Sequence, residues 1–154
     1  MYPLQGLITV ALVGAGLLFL APRLYQSAVR AVASKMSTSS VPYQSGTHSV
    51  AFVTVPDEET GKKLAKSLVT SKLAACVNII PKLTSVYEWE GKVNEDPEAM
   101  MIIKTRAARV DELSEFIRKN HPYDVAEVIA MSIENGNPPY LEWLGSVVPP
   151  PKKQ

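Results

Sequence analysis

From Val50 onward the chain switches repeatedly between two hydrophobic periods, and the order of switching restricts the fold more than any other feature. Val50-Ala51-Phe52-Val53-Thr54-Val55 is a short β-branched apolar run closed by Pro56, which predicts a central strand. Asp57 predicts a helix N-cap, with Glu58 and Glu59 in the first turn, where the helix dipole favours acids. Leu64, Ala65, Leu68 and Val69 recur at helical spacing on one face, and Lys62, Lys63 and Lys66 take the other. Leu73-Ala74-Ala75 leads into a buried strand, Cys76 to Ile80, expected to stop at Pro81. The next extended segment carries Ser85, Tyr87 and Trp89 on one face and Val86, Glu88 and Glu90 on the other, then turns at Gly91. Asn94-Glu95-Asp96-Pro97 reads as a turn, and Ala99 to Ile103 as a buried strand ending at Lys104-Thr105. A second helix is expected, capped by Thr105 or a neighbour, with Val110, Leu113, Phe116 and Ile117 inward. His121-Pro122 ends it, because proline disfavours helical geometry in the residue before it. Val125 to Ile133 predicts a third long buried strand, and Tyr140 to Leu144 a short closing helix.

This order predicts an α+β fold, a ferredoxin-like βαββαβ sandwich with an extended β-hairpin and an added C-terminal helix. The expected divisions are an apolar leader at 1–35, a polar linker at 36–46, one domain at 47–148 and a flexible tail at 149–154. The layout alone assigns no activity, since it hosts many unrelated ones. Tyr87, Trp89 and the β-branched residues of 77–86 form more apolar edge than one small sheet can cover. Such edges pair with another chain, and closed cyclic assembly is the common outcome, so an oligomer built through the hairpin is expected.

Charge excludes one class of partner. Three of the 16 Lys and Arg residues precede Asp57, whereas all 15 acids lie from Asp57 on, leaving 13 bases against 15 acids and a net of −2 for that stretch. A mildly acidic domain without a basic cluster does not fit nucleic-acid binding. A lone cysteine, Cys76, excludes an internal disulfide and a multi-cysteine zinc site.

The leader has several readings. Leu4 to Ala21 runs without a charge and is just long enough to cross a bilayer as a helix. It also resembles a secretory h-region, with Ala31-Val32-Ala33 as a cleavage site within residues 1–33. Arg23, Arg30 and Lys35 follow the apolar run rather than precede it, which favours a cytoplasmic C-terminal side for an uncleaved anchor. An acid-free leader with Arg and Ser also fits a mitochondrial transit peptide, though less well at its apolar start. Initiation at Met36 would yield a cytosolic form holding the whole domain.

Five spaced motifs carry a family resemblance. They are Ala74-Ala75-Cys76-Val77-Asn78-Ile79-Ile80-Pro81, Ser85-x-Tyr87-x-Trp89-x-Gly91, Ile103-Lys104-Thr105, His121-Pro122-Tyr123 with Glu127, and Tyr140-Leu141-x-Trp143-Leu144. In that order, over roughly residues 47–148, they resemble the CutA divalent-cation-tolerance family. The resemblance implies a ferredoxin-like protomer in a homotrimer with clefts between subunits, similar in architecture to the trimeric PII signalling proteins. It implies tolerance of copper and other divalent cations, a membrane-linked role with acetylcholinesterase in vertebrate members, and no enzymatic activity. Some bacterial members place a thiolate in the first strand as a copper ligand; Val53-Thr54-Val55 has none.

Each candidate has a functional and a structural reading. His121 is a candidate ligand for Cu2+ or another divalent cation through a neutral imidazole nitrogen, or a helix cap bonded to a carbonyl. Glu127 would complete a metal pair, or be satisfied by Lys104, Arg106 or a neighbouring subunit. Cys76 is a weaker ligand candidate, more simply a small hydrophobe. Met100 and Met101 read as core, pointing to opposite faces of their strand. Tyr87, Trp89, Tyr123 and Trp143 would line an inter-subunit cleft for an aromatic or anionic small molecule, with Lys104 holding an anion there, or would pack an interface. No serine elbow, paired histidines at metal spacing or glycine-rich phosphate loop is present.

Overall fold

A computed structural model describes residues 42–152. The leader at 1–35, the start at Met36 and most of the linker lie outside the described residues. The elements are β1 (His48–Val55), α1 (Glu58–Thr70), β2 (Cys76–Trp89), β3 (Lys92–Arg106), a 3-10 turn (Ala107–Arg109), α2 (Val110–Asn120), β4 (Ile129–Ser132) and α3 (Pro138–Val147). The four strands form one antiparallel sheet in the order β2-β3-β1-β4, the ferredoxin-like arrangement expected.

Local chemistry explains the helices. The Asp57 carboxylate accepts the Thr60 N–H at 2.7 Å and so caps α1. Glu58–Lys62 and Glu59–Lys63 ion pairs at i,i+4 add a few tenths of a kcal/mol each on an exposed face. Buried Gly61 lets α1 lie close on the sheet, since a Cβ there would stand 3.3 Å from a Val55 methyl. α2 carries Asp111 and Glu112 in its first turn and Arg118 and Lys119 in its last, matching the dipole at both ends. It begins at Val110 after the 3-10 turn; Thr105 stays in β3, fully buried, its hydroxyl donating to the Leu73 carbonyl at 2.6 Å.

α1 and α2 cover one side of the sheet. Ala51, Val53 and Val55 of β1, Ala99, Met101 and Ile103 of β3, Leu64 and Leu68 of α1, and Leu113 and Ile117 of α2 make the main core. A smaller cluster, Ala75, Leu144 and Val148 with Ile133 and Val147, seats α3. Strand alternation sends Val50, Phe52, Ile80, Met100 and Ile102 to the opposite side, where they are half-buried or exposed. Met101 is thus core and Met100 is not.

Three expectations need correction. β2 does not stop at Pro81: it runs on to Trp89 through an irregularity between Ile80 and Leu83, where Lys82 takes φ 61°. β2 is an edge strand, so a missing N–H on its outer side costs no ladder bond. Asn94 to Pro97 is strand rather than turn, paired to Tyr87 through Thr84; the chain reverses at Glu90-Gly91, both at positive φ. The strand expected at 125–133 pairs only over Ile129–Ser132, and all four residues are exposed.

Candidate functional site

The irregularity at Pro81-Lys82 has a consequence for function. It shifts the register by one residue, so Leu83, Ser85, Tyr87 and Trp89 continue the face begun by Cys76, Asn78 and Ile80. Across from them β3 presents Lys92, Asn94, Asp96 and Glu98 on that same face. Phenols, a hydroxyl and carboxylates therefore gather beyond the end of β1. The Tyr87 hydroxyl donates to Asp96 Oδ2 at 2.7 Å, and Ser85 Oγ to Glu98 Oε2 at 2.5 Å. Glu98 is a buried carboxylate, 7% exposed.

The segment after α2 closes the cluster. His121 is the C-cap residue of α2, its N–H bonded to the Ile117 carbonyl at 2.8 Å, in the extended conformation that Pro122 imposes. Its ring is buried and fully engaged. Nε2 lies 2.8 Å from the Thr54 carbonyl oxygen, and Nδ1 accepts the Tyr123 N–H at 3.1 Å. Because a carbonyl can only accept, Nε2 carries the proton, and the Nδ1 lone pair is already spent. The Tyr123 ring meets the imidazole edge-on at 4.9 Å. Burial, then the Glu98 carboxylate that accepts its proton and the negative charge of Glu98 and Asp96, push the Tyr123 phenol up to about 12. The Tyr87 phenol is also raised, chiefly by its bond to Asp96.

His121, Tyr123 and Tyr87 thus belong to one cluster. Glu127 sits half-buried in the irregular segment before β4, and neither Lys104 nor Arg106 pairs with it. Lys104 Nζ bonds Asn78 Oδ1 and the Ile102 carbonyl, the latter at 3.2 Å. Arg106 bonds the Val148 and Gly145 carbonyls. Cys76, half-buried and opposite Lys104, lies beside the Tyr140 phenol, whose acidity is lowered by burial and then by the thiol. Trp143 packs against Tyr140 at 5.3 Å, and Trp89 stands 53% exposed near the hairpin turn. Among the described residues no three His, Cys, Asp or Glu side chains converge as a metal cage. Sequence reading placed Ser85 on the face of Tyr87 and Trp89 but passed over Asp96 and Glu98, whose convergence with them depends on a register shift that no local pattern signals.

The region so described coincides with a known family. The CutA1 divalent ion tolerance protein model matches residues 49–147. The chain belongs to that family. It is 48% identical over 141 residues to the CutA homolog of Xenopus laevis, covering 92% of each chain. Its identity to the CutA protein of Homo sapiens is 51% over 114 residues, 74% of this chain and 64% of that one. The crystal structure of CutA1 from Oryza sativa is similar with a TM-score of 0.65 and 54% identity, covering 66% of this chain and 94% of that one. The family membership therefore rests on the domain, with both core faces and the hairpin included. Among the described residues no helix is long and apolar enough to cross a membrane.

Proposed function

We propose that the chain is a non-enzymatic homotrimeric protein that handles divalent cations, copper first, at sites made where subunits meet. One observation carries this reading: α1 and α2 cover one side of the sheet, while the other side, met by α3 only at its His48–Arg106 end, is otherwise apolar and open. Ile80, Ile129 and Met131 on that side are 49%, 54% and 59% exposed, beside Phe52, Met100 and Ile102. An apolar sheet face of this extent is stable in water when a second copy covers it, and cyclic closure satisfies the hairpin edge as well. Within one protomer His121 has no spare lone pair, so a cation at that ring requires Nδ1 to exchange the Tyr123 N–H for the metal. Oxygen ligands would come from Glu98 and Asp96 beside Tyr123, and from Glu127, six residues after His121 in sequence.

Delivery by residues 1–33 to a membrane or secretory compartment, and assistance there to the localisation or assembly of a partner such as acetylcholinesterase, is the finer form of this reading. A second reading is favoured by the Tyr87–Asp96 and Tyr123–Glu98 pairs, with Trp89, Lys104 and Trp143 around them: a PII-like cleft between subunits that senses a small molecule.

Copper titration of the full chain, with its mass followed by light scattering, separates them. The expected result is three times the 16.8 kDa protomer mass and saturable binding that His121→Ala abolishes. A trimer that binds no copper would discard cation handling and leave the small-molecule cleft. A monomer would discard both.

A further inference from the structure

A second histidine lies far from this cluster and is unlike it in every respect. His48 opens β1 and is 4% exposed, yet neither ring nitrogen has a hydrogen-bond partner. A buried imidazole with both nitrogens unpaired is rare, because each polar atom taken from water without a partner costs free energy. The groups around it are few. The Tyr43 ring stacks on it at 5.7 Å and 9°, and the Tyr43 hydroxyl bonds the Ile133 carbonyl. Arg106, its cross-strand partner on β3, is the one charge acting on it. From α3, the backbone at Gly145 comes down on both side chains. A Cβ there would stand 3.2 Å from His48 Nε2 and 3.4 Å from Arg106 Nη2.

Arg106 holds the end of α3. Its Nη2 donates to the Gly145 carbonyl at 2.7 Å and its Nε to the Val148 carbonyl at 2.9 Å. Those are carbonyls of the last turn, which the helix itself leaves without partners. The rest of the helix seat is buried Leu141 and the small cluster of Ala75, Leu144 and Val148 with Ile133 and Val147, far fewer side chains than the main core holds. The helix is thus fastened by one guanidinium that shares a closed space with one neutral imidazole.

We propose that His48 is the trigger of an acid-operated latch: a proton taken up by its ring places two cations side by side against α3 and releases the Arg106 clamp. No carboxylate faces the ring from β3, from the Tyr43 segment or from the Gly145 backbone; Glu134, next to the Ile133 that bonds the His48 carbonyl, is taken up by the Ser45 hydroxyl, and Arg106 remains the one charge acting on the ring. The proton comes from solvent and goes to whichever ring nitrogen lacks one. Burial first, and Arg106 second, already hold the ring below its ordinary 6.5. For a base lowered on folding, the unfolded segment binds more protons. The docked helix is therefore fully held above pH 6.5 and loses stability as pH falls below it. Opening would uncover Ala75, Cys76 and the end of the open sheet face, so the latch would control access to the rim of the assembly.

The test is native-state hydrogen exchange on the full chain, comparing segment 138–148 with the main-core segment 99–106. In the wild type, protection of 138–148, corrected for the intrinsic rate, is expected to fall by up to about tenfold per pH unit below 6.5, the limit for one linked proton. Segment 99–106 should stay unchanged. His48→Phe keeps an aromatic ring against Tyr43 without a titrating group, and its 138–148 protection should not vary with pH. Wild-type protection that ignores pH, or an equal loss in His48→Phe, overturns the latch. Should His48→Phe fail to fold, the His48 ring resonances of the wild type decide. They are expected to titrate below 6.5 in step with loss of the Val148 amide, and a titration out of step overturns the proposal.

Discussion

The two sides of the sheet are made from the same strands and the same kinds of residue, yet they end differently. On the side under α1 and α2, Ala51, Val53, Met101 and Ile103 are all 0% exposed. One residue along, Phe52, Met100 and Ile102 are equally apolar and only half-buried. Hydrophobicity is therefore not what separates core from surface here; the placing of helices is. The covered side completes a protomer, and the open side gives that protomer a reason to associate.

The largest effect is expected on the covered side. Ile103→Ala removes a fully buried β3 side chain from the main core and should lower stability by about 2–5 kcal/mol, read from urea unfolding. Its neighbour sharpens the contrast. Ile102→Asp on the open side should reduce the mass seen by light scattering to one protomer, while the isolated protomer loses no more than about 1 kcal/mol. An unchanged mass would break the comparison, because the open side would then not be where copies meet. The smallest effect concerns the polar end of the open side. A Tyr123 phenol held up to about 12 makes the folded state prefer the protonated form. Stability should then be level below pH 10 and decline between 10 and about 12. Tyr87 and Tyr140 are raised as well and add to that decline, so Tyr123→Phe should lessen it and remove the latest step from the ultraviolet phenolate titration.

Much of this was readable in advance. Asp57 as cap, the inward Leu64, Leu68, Leu113 and Ile117, and the stop at His121-Pro122 follow from interactions within a few residues, which sequence displays directly. The ferredoxin-like order and the family resemblance followed from the same elements. Pro81 and Pro97 misled because the cost of a proline in a strand depends on what lies beside it. Both occupy the protruding part of the hairpin: Pro97 pairs with Thr84 and lies before Ala99, where β1 begins to flank β3. The apolar run from Val125 to Ile133 suggested a long buried strand, but only Ile129–Ser132 pairs, at the outer edge beside β1, and Ile129 and Met131 point to the open side. In the candidate site, His121, Tyr123 and Tyr87 stood out by type and spacing. Glu98 and Asp96 did not, because a one-residue register shift at Lys82 decides which side of the hairpin they share with Tyr87.

Sequence by itself determined the first two helices, the central strands β1 and the Ala99–Ile103 part of β3, the alternation within each uninterrupted strand, and which family the chain resembles. Those properties depend on the 2-residue and 3.6-residue periods and on caps, all of them local. Only the tertiary structure decided which face α1 and α2 cover and that the hairpin face stays continuous through Pro81. It also decided that both His121 nitrogens are occupied while both His48 nitrogens are not. These depend on contacts between residues distant along the chain, such as Thr54 with His121 and Arg106 with Gly145. A side chain's partner is set by where the fold brings another backbone, and no periodicity records that.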